Sequence, residues 1–352
     1  MTRRLPALLP AVLLVASLAT GALAAPDLVD PWPDPDTIRD IATEKIAFLS
    51  SDPFAPTEIG HPDVRQVSAE LYLPRQAAAG HPVPAVVILH GAAGRIAERG
   101  ATYGRQLAAM GVAALAVETY GSRPDLGGDF TERLVHITET MFMVDAYAAL
   151  RFLEGRHDID AQHVVLAGFS YGGMATTFAL YAQMADPLAP PGLRFAGHVA
   201  FYAPCIARFA DSRTTGAPLL MLDGADDELV SPPRCAEVAG DLRAGGSEVT
   251  IVTYPGAVHQ WDGAMPRQLI GRHVADCRLQ VARDGTVRDL WTFLPMSGPF
   301  LRRIILGLCT EGRPVPVGRD DRIRARSNAD FGHFLARVFA GPPIAPPATG
   351  RR

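Results

Sequence analysis

The stretch HVVLAGFSYGGM, His163 to Met174, constrains this chain more than any other. It opens on apolar residues of a buried-strand type, Val164, Val165 and Leu166. It then passes through Gly168-Phe169-Ser170-Tyr171-Gly172-Gly173 and runs into a helical pattern, MATTFALYAQ. The order is strand, sharp turn, helix, with a serine at the tip. So tight a turn forces the serine into a strained backbone conformation. It also presses the residues two before and two after the serine together, so both must be tiny. Gly168 and Gly172 meet that demand, and Gly173 lets the helix start close to the sheet. In a chain with 33 glycines, G-x-S-x-G also arises by chance. The strand before it and the helix after it are what make it informative.

Buried strands recur along the chain. Pro82 to His90, Val112 to Glu118, Gly197 to Ala203, Ala217 to Leu222 and Glu248 to Tyr254 are apolar runs of strand length. Helical patterns separate several of them, at 101–110, 131–153 and 232–244. Strands alternating with helices predict an α/β fold, a mostly parallel sheet with helices on both faces. Two earlier strands are expected at 45–50 and 66–74. After Met265 the pattern changes. Residues 277–293 alternate around Asp284-Gly285, a hairpin signal. A short helix or turn follows at 301–308, and a last helix at 330–339 ends at Gly341. The expected organisation is a leader at 1–24 and an extended segment with the first strand at 25–65. A single domain at 66–342 with an insertion at 265–320 comes next, then a disordered tail at 343–352.

Charge excludes one class of partner. The formal net charge is −4, or −6 once Arg3 and Arg4 are subtracted with a leader. That is no nucleic-acid surface. Lys45 is the only lysine, so a single Arg in a loop carries little information about ligands. Arg3 and Arg4, the short apolar run Leu5 to Leu18 and the small-residue site Ala22-Leu23-Ala24 read as a secretory signal. The apolar run is below the roughly 18 residues a membrane span needs, so no membrane anchor is expected after cleavage. Cys205, Cys235, Cys277 and Cys309 all follow the leader, and an even number in an exported chain predicts two disulfides. Of three possible pairings, Cys205–Cys235 with Cys277–Cys309 joins neighbouring elements. No C-x-x-C spacing suggests zinc. The sequence sets no oligomeric state.

A serine hydroxyl becomes a nucleophile when an imidazole takes its proton and a carboxylate orients the imidazole. In an open parallel sheet such groups gather beyond the carboxyl ends of the strands. Asp227 follows one late strand and His259 the next. The order Ser170, Asp227, His259 is that of an α/β-hydrolase. Asp223, Asp226 and Glu228 are rival acids, with Asp227 preferred because it leaves a longer loop to reach His259. The oxyanion needs two backbone N–H donors. Tyr171, after the nucleophile, supplies one, and Ala92, in the His90-Gly91-Ala92 loop, supplies the other.

PAVVILHGAAG, GFSYGG, GADDELVSP and YPGAVHQWD together resemble the dienelactone hydrolase family of α/β-hydrolases, in its exported bacterial branch. The resemblance covers roughly 84–262. It implies Ser170 as nucleophile, Asp227 as acid and His259 as base, with no metal or cofactor. Dienelactone hydrolases proper use cysteine, so the serine here points to a broader carboxylic-ester hydrolase acting on a small-molecule ester or lactone. The run Glu118 to Arg123 resembles a pocket-lining loop of such proteins. Arg123 is thus a candidate for binding a substrate carboxylate, and Tyr120 and Trp261 are expected to line the pocket. A peptidase of the same fold is the alternative, and a non-catalytic binding protein is a third reading that predicts a broken triad.

Overall fold

The structure is a computed structural model describing residues 28, 31–61, 63–94, 96–271, 274, 276–310 and 312–344. The leader at 1–24 and the tail from 345 onward lie outside the described residues.

Thirteen strands form among the described residues: β1 (Ala42–Ser50), β2 (Arg65–Leu73), β3 (Val83–Leu89), β4 (Ala113–Val117), β5 (Ile159–Phe169), β6 (Gly197–Phe201), β7 (Ala207–Phe209), β8 (Leu219–Gly224), β9 (Val249–Tyr254), β10 (Gln268–Ile270), β11 (Leu279–Val281), β12 (Val287–Asp289) and β13 (Val315–Val317). Eight of them make the main sheet, in the order β1-β2-β4-β3-β5-β6-β8-β9. The two edge strands β1 and β2 are antiparallel, and β2 joins β4 antiparallel. From β4 to β9 every pairing is parallel. The apolar runs explain the arrangement: β3, β4, β6 and β8 are buried almost throughout, which requires cover on both faces.

The helices among the described residues are α1 (Ile96–Ala109), α2 (Phe130–His136), α3 (Glu139–Glu154), α4 (Tyr171–Phe178), α5 (Ala182–Leu188), α6 (Pro232–Ala244), α7 (Pro299–Cys309) and α8 (Asp321–Ala340), and α1, α3, α4, α6 and α8 pack against the sheet. Tyr103 of α1 reaches α8, where its hydroxyl meets Asn328 at 3.0 Å and its ring faces Phe331. On the other face Tyr147 of α3 donates to the carbonyl of Ala179 at the end of α4. The parallel sheet and its flanking helices are as the strand–helix alternation predicted.

Several boundaries differ, and the first helix starts at Ile96 where 101 was expected. The helix expected at 131–153 is two helices, because Ile137 and Thr138 are extended, with ψ of 104° and 165°. Ile137 is fully buried there, so tertiary packing overrides the helical spacing. The last helix starts at Asp321, nine residues before the expected 330, with Asp320 capping it through the N–H groups of Arg322 and Ile323. The lead-in is packed: Trp32 sets its ring against Tyr103 and Phe331, and Gln106 donates to the carbonyl of Pro33.

Residues 265–320 form small added structure. β11 and β12 make the hairpin around Asp284-Gly285, and β11 extends in parallel along β7. β10 pairs with β13, which runs beside His259. Cys205 is bonded to Cys235, and Cys277 to Cys309. Sequence separations of 30 and 32 make each link worth about 3–4 kcal/mol through the unfolded chain. Two disulfides are the chemistry of an oxidising compartment, extracellular or periplasmic. No helix among the described residues is long and apolar enough to cross a membrane.

Candidate active site

Ser170 stands between β5 and α4 with φ of 53° and ψ of −114°, a strained conformation for a non-glycine residue. Its N–H donates to the carbonyl of Phe201, which anchors the turn to β6. The glycines are sterically obligatory. A Cβ on Gly168 would sit 2.2 Å from the carbonyl oxygen of Gly172, and one on Gly172 would sit 2.5 Å from the carbonyl oxygen of His90. Both obstacles are backbone. Gly168→Ala is therefore expected to destabilise the protein by about 3 kcal/mol or more and to lower the thermal unfolding midpoint followed by circular dichroism. An unchanged midpoint would remove the steric account of the turn.

The three residues named from strand ends converge. His259 Nε2 lies 2.8 Å from Ser170 Oγ, and His259 Nδ1 lies 2.8 Å from Asp227 Oδ2. A carboxylate only accepts, so Nδ1 carries the proton and Nε2 is free to accept from the serine. The other oxygen of Asp227 accepts from the Leu229 N–H at 2.9 Å. Asp227 and His259 are buried, while Ser170 keeps partial access. The rival acids are elsewhere. Asp226 and Glu228 are exposed, and Glu228 pairs with Arg313. Asp223 is buried on β8, where burial first, and then the charge of Asp227, push its pKa up to about 7.

The imidazole of His259 is buttressed. Tyr202 presents an edge to it at 4.7 Å, and the Tyr202 hydroxyl donates to Asp262 Oδ1. Asp262 also binds Arg99 of α1 at 2.7 Å. The loop carrying His259 is thus tied back to the sheet three residues later. In the sequence Asp262 stands out only as the last residue of YPGAVHQWD, and Tyr202 carries no signal beyond its place in an apolar strand.

The second loop at the site is held by His90. Its Nδ1–H donates to the Gly91 carbonyl at 2.8 Å, and its Nε2 accepts from the Tyr120 N–H at 3.3 Å. Accepting at Nε2 needs the neutral ring, and burial pushes the His90 pKa down to about 4. Gly91 abuts the nucleophile: a Cβ there would lie 3.3 Å from Ser170 Cβ. Ala92 follows, half-buried, in a turn closed by the Gly94 N–H on the Gly91 carbonyl. Tyr171 begins α4, where the leading N–H groups have no partner inside the helix.

Two expected pocket residues are structural. Arg123 is fully buried and makes a two-pronged contact with Asp145 at 2.8 and 2.9 Å. Its remaining N–H groups reach Asp52 Oδ1 and the carbonyls of Thr119 and Ser51. All five donors of the guanidinium are taken, so none is left for a substrate carboxylate. Trp261 is also fully buried, with Nε1 on Ser327 Oγ and its ring against Tyr202 and Tyr254. Tyr120 packs between His90 and Phe142 with 5% of its surface exposed.

Sheet order, serine turn and fold are those of an α/β-hydrolase. A model of the dienelactone hydrolase family matches residues 67–269, which is 203 of the 352 residues. The chain belongs to the dienelactone hydrolase family. Membership makes it a hydrolase with a small-molecule substrate. Among solved structures, a dienelactone hydrolase-like promiscuous phosphotriesterase from metagenomic libraries matches with a TM-score of 0.53 and 18% identity, over 84% of this chain and 99% of its own. A dienelactone hydrolase assigned in Klebsiella pneumoniae matches with a TM-score of 0.46 and 23% identity, over 62% of this chain and 89% of its own. No curated protein matches the chain.

Proposed function

We propose that this protein is an exported serine esterase that cleaves a carboxylic ester or lactone through an acyl-enzyme. The observation that carries this reading is the unbroken hydrogen-bond chain Ser170–His259–Asp227, with 2.8 Å at both links. His259 takes the Ser170 proton as Oγ attacks the substrate carbonyl. Asp227 holds the ring in the required tautomer and stabilises the imidazolium that forms. The N–H groups of Ala92 and Tyr171 receive the oxyanion. His259 then protonates the leaving alcohol. It next activates a water, which attacks the acyl carbonyl and frees Ser170. In a lactone the leaving alcohol stays attached to the acyl group, so a single hydroxy acid is released.

The test is turnover of a p-nitrophenyl ester together with labelling by a fluorophosphonate probe. The wild type is expected to release p-nitrophenol and to carry the probe on the peptide containing Ser170. An inert protein that neither turns over nor labels sinks the reading. Cleavage of peptide amides at rates exceeding those of esters would move the assignment to a peptidase.

A further inference from the structure

The family match ends at residue 269, so nearly all of the 265–320 segment lies beyond it. This segment nonetheless sends one side chain to Tyr171, the residue after the nucleophile. Arg302 of α7 is buried, with 4% of its surface exposed. Its Nη2 donates to Glu139 Oε2 at 2.8 Å and to the Tyr171 hydroxyl at 2.9 Å. Its Nε donates to the carbonyl of Leu134 at 2.9 Å. The Tyr171 hydroxyl in turn donates to Glu139 Oε2 at 2.9 Å. Arginine, glutamate and tyrosine thus close a buried triangle. Burial alone would raise the Glu139 carboxyl, and the Arg302 charge overrides it and holds the group low.

A buried ion pair is close to break-even for stability against an apolar replacement, so its worth lies in what it positions. What this one holds is the ring of Tyr171, the residue after the nucleophile. The triangle joins three separate elements: α7, the start of α3 and the first turn of α4. Its outer corner is fastened in turn, because α7 ends at Cys309, which is bonded to Cys277.

We propose that Arg302 is a positioning residue for catalysis. Through Tyr171 and Glu139 it fixes the first turn of α4, and with it the Tyr171 N–H that receives the oxyanion. The 265–320 segment therefore completes the active site. This rests on the esterase reading above.

The experiment is steady-state kinetics on p-nitrophenyl butyrate, with the rate of fluorophosphonate labelling, for five proteins. These are the wild type, Arg302→Met, Arg302→Lys, Tyr171→Phe and the Arg302→Met/Tyr171→Phe pair. Arg302→Met is expected to lower kcat about thirtyfold, with labelling slowed in parallel and KM within about twofold, because an oxyanion donor acts in the transition state. Arg302→Lys restores part of the loss. In the Tyr171→Phe background the further loss on Arg302→Met shrinks to about threefold or less, since the partner it acts through is gone. A wild-type kcat for Arg302→Met overturns the proposal. So does a loss confined to KM, or the same loss with and without the tyrosine hydroxyl. Should Arg302→Met fail to fold, Tyr171→Phe decides alone, because it keeps the N–H and removes the hydroxyl. It is expected to lower kcat about tenfold, and an unchanged kcat overturns the proposal. A wild type silent in both assays brings down the esterase reading and this one with it. An active wild type with indifferent variants brings down this one only.

Discussion

Ser170→Ala is expected to lower kcat on an activated ester by about a millionfold, with the fold intact by circular dichroism. The reasoning is geometric. His259 Nε2 is 2.8 Å from Ser170 Oγ and has its other nitrogen committed to Asp227, so the imidazole has one proton to take and one place to take it from. Removing Oγ removes the bond-forming atom and leaves substrate binding and the proposed Ala92 and Tyr171 N–H donors to set the residual rate. The backbone is already held at φ of 53° by its surroundings, and alanine adds no atom to that turn. A variant keeping more than about a hundredth of the wild-type rate would place the nucleophile elsewhere.

Asp227→Asn is expected to lower kcat by about ten thousandfold, while Asp223→Asn changes it by no more than about threefold. An asparagine at 227 presents either an N–H, which cannot accept from Nδ1–H, or an amide oxygen without charge. Either choice loses the correct tautomer or the support for the imidazolium. Asp223 touches neither His259 nor Ser170 among its hydrogen-bond partners, so its neutral form is enough. The two carboxyls also separate in a stability measurement. The folded pKa of Asp223 is about 7, raised above its ordinary 3.8. A group raised on folding stabilises below its unfolded pKa, and that contribution is lost as pH rises through the folded value. The wild type should therefore lose stability from about pH 4 to about pH 7 relative to Asp223→Asn, by a few kcal/mol at most. Parallel stability curves over that range would contradict a carboxyl held protonated by burial.

How much was legible depended on the range of the interaction. The serine turn was legible because its steric demand acts between residues two and four apart, and Gly168 and Gly172 are written at that spacing. Asp227 and His259 were legible because each follows a buried strand closely, and the sheet gathers strand ends together. Among Asp223, Asp226, Asp227 and Glu228, loop length already favours Asp227, and in the structure its carboxylate meets His259 Nδ1. Arg123 shows the opposite case. Its partners are 22 and 71 residues away, and both are ordinary aspartates in a chain of many. A loop arginine that satisfies all five donors internally looks, in sequence, the same as one that waits for a carboxylate. Arg302 is more distant still, 131 residues from Tyr171, and one arginine among so many carried no signal.

By itself, then, the sequence determined the parallel sheet, the strained serine at its centre and the order of the residues that follow. Those features come from apolar runs and local sterics, and both act within a few residues along the chain. Only the tertiary structure decided which arginines are structural and that the segment beyond the family match reaches Tyr171. Those outcomes depend on pairing charged side chains across distant elements. Burial makes each such pairing obligatory once the fold is formed, but no local pattern records it.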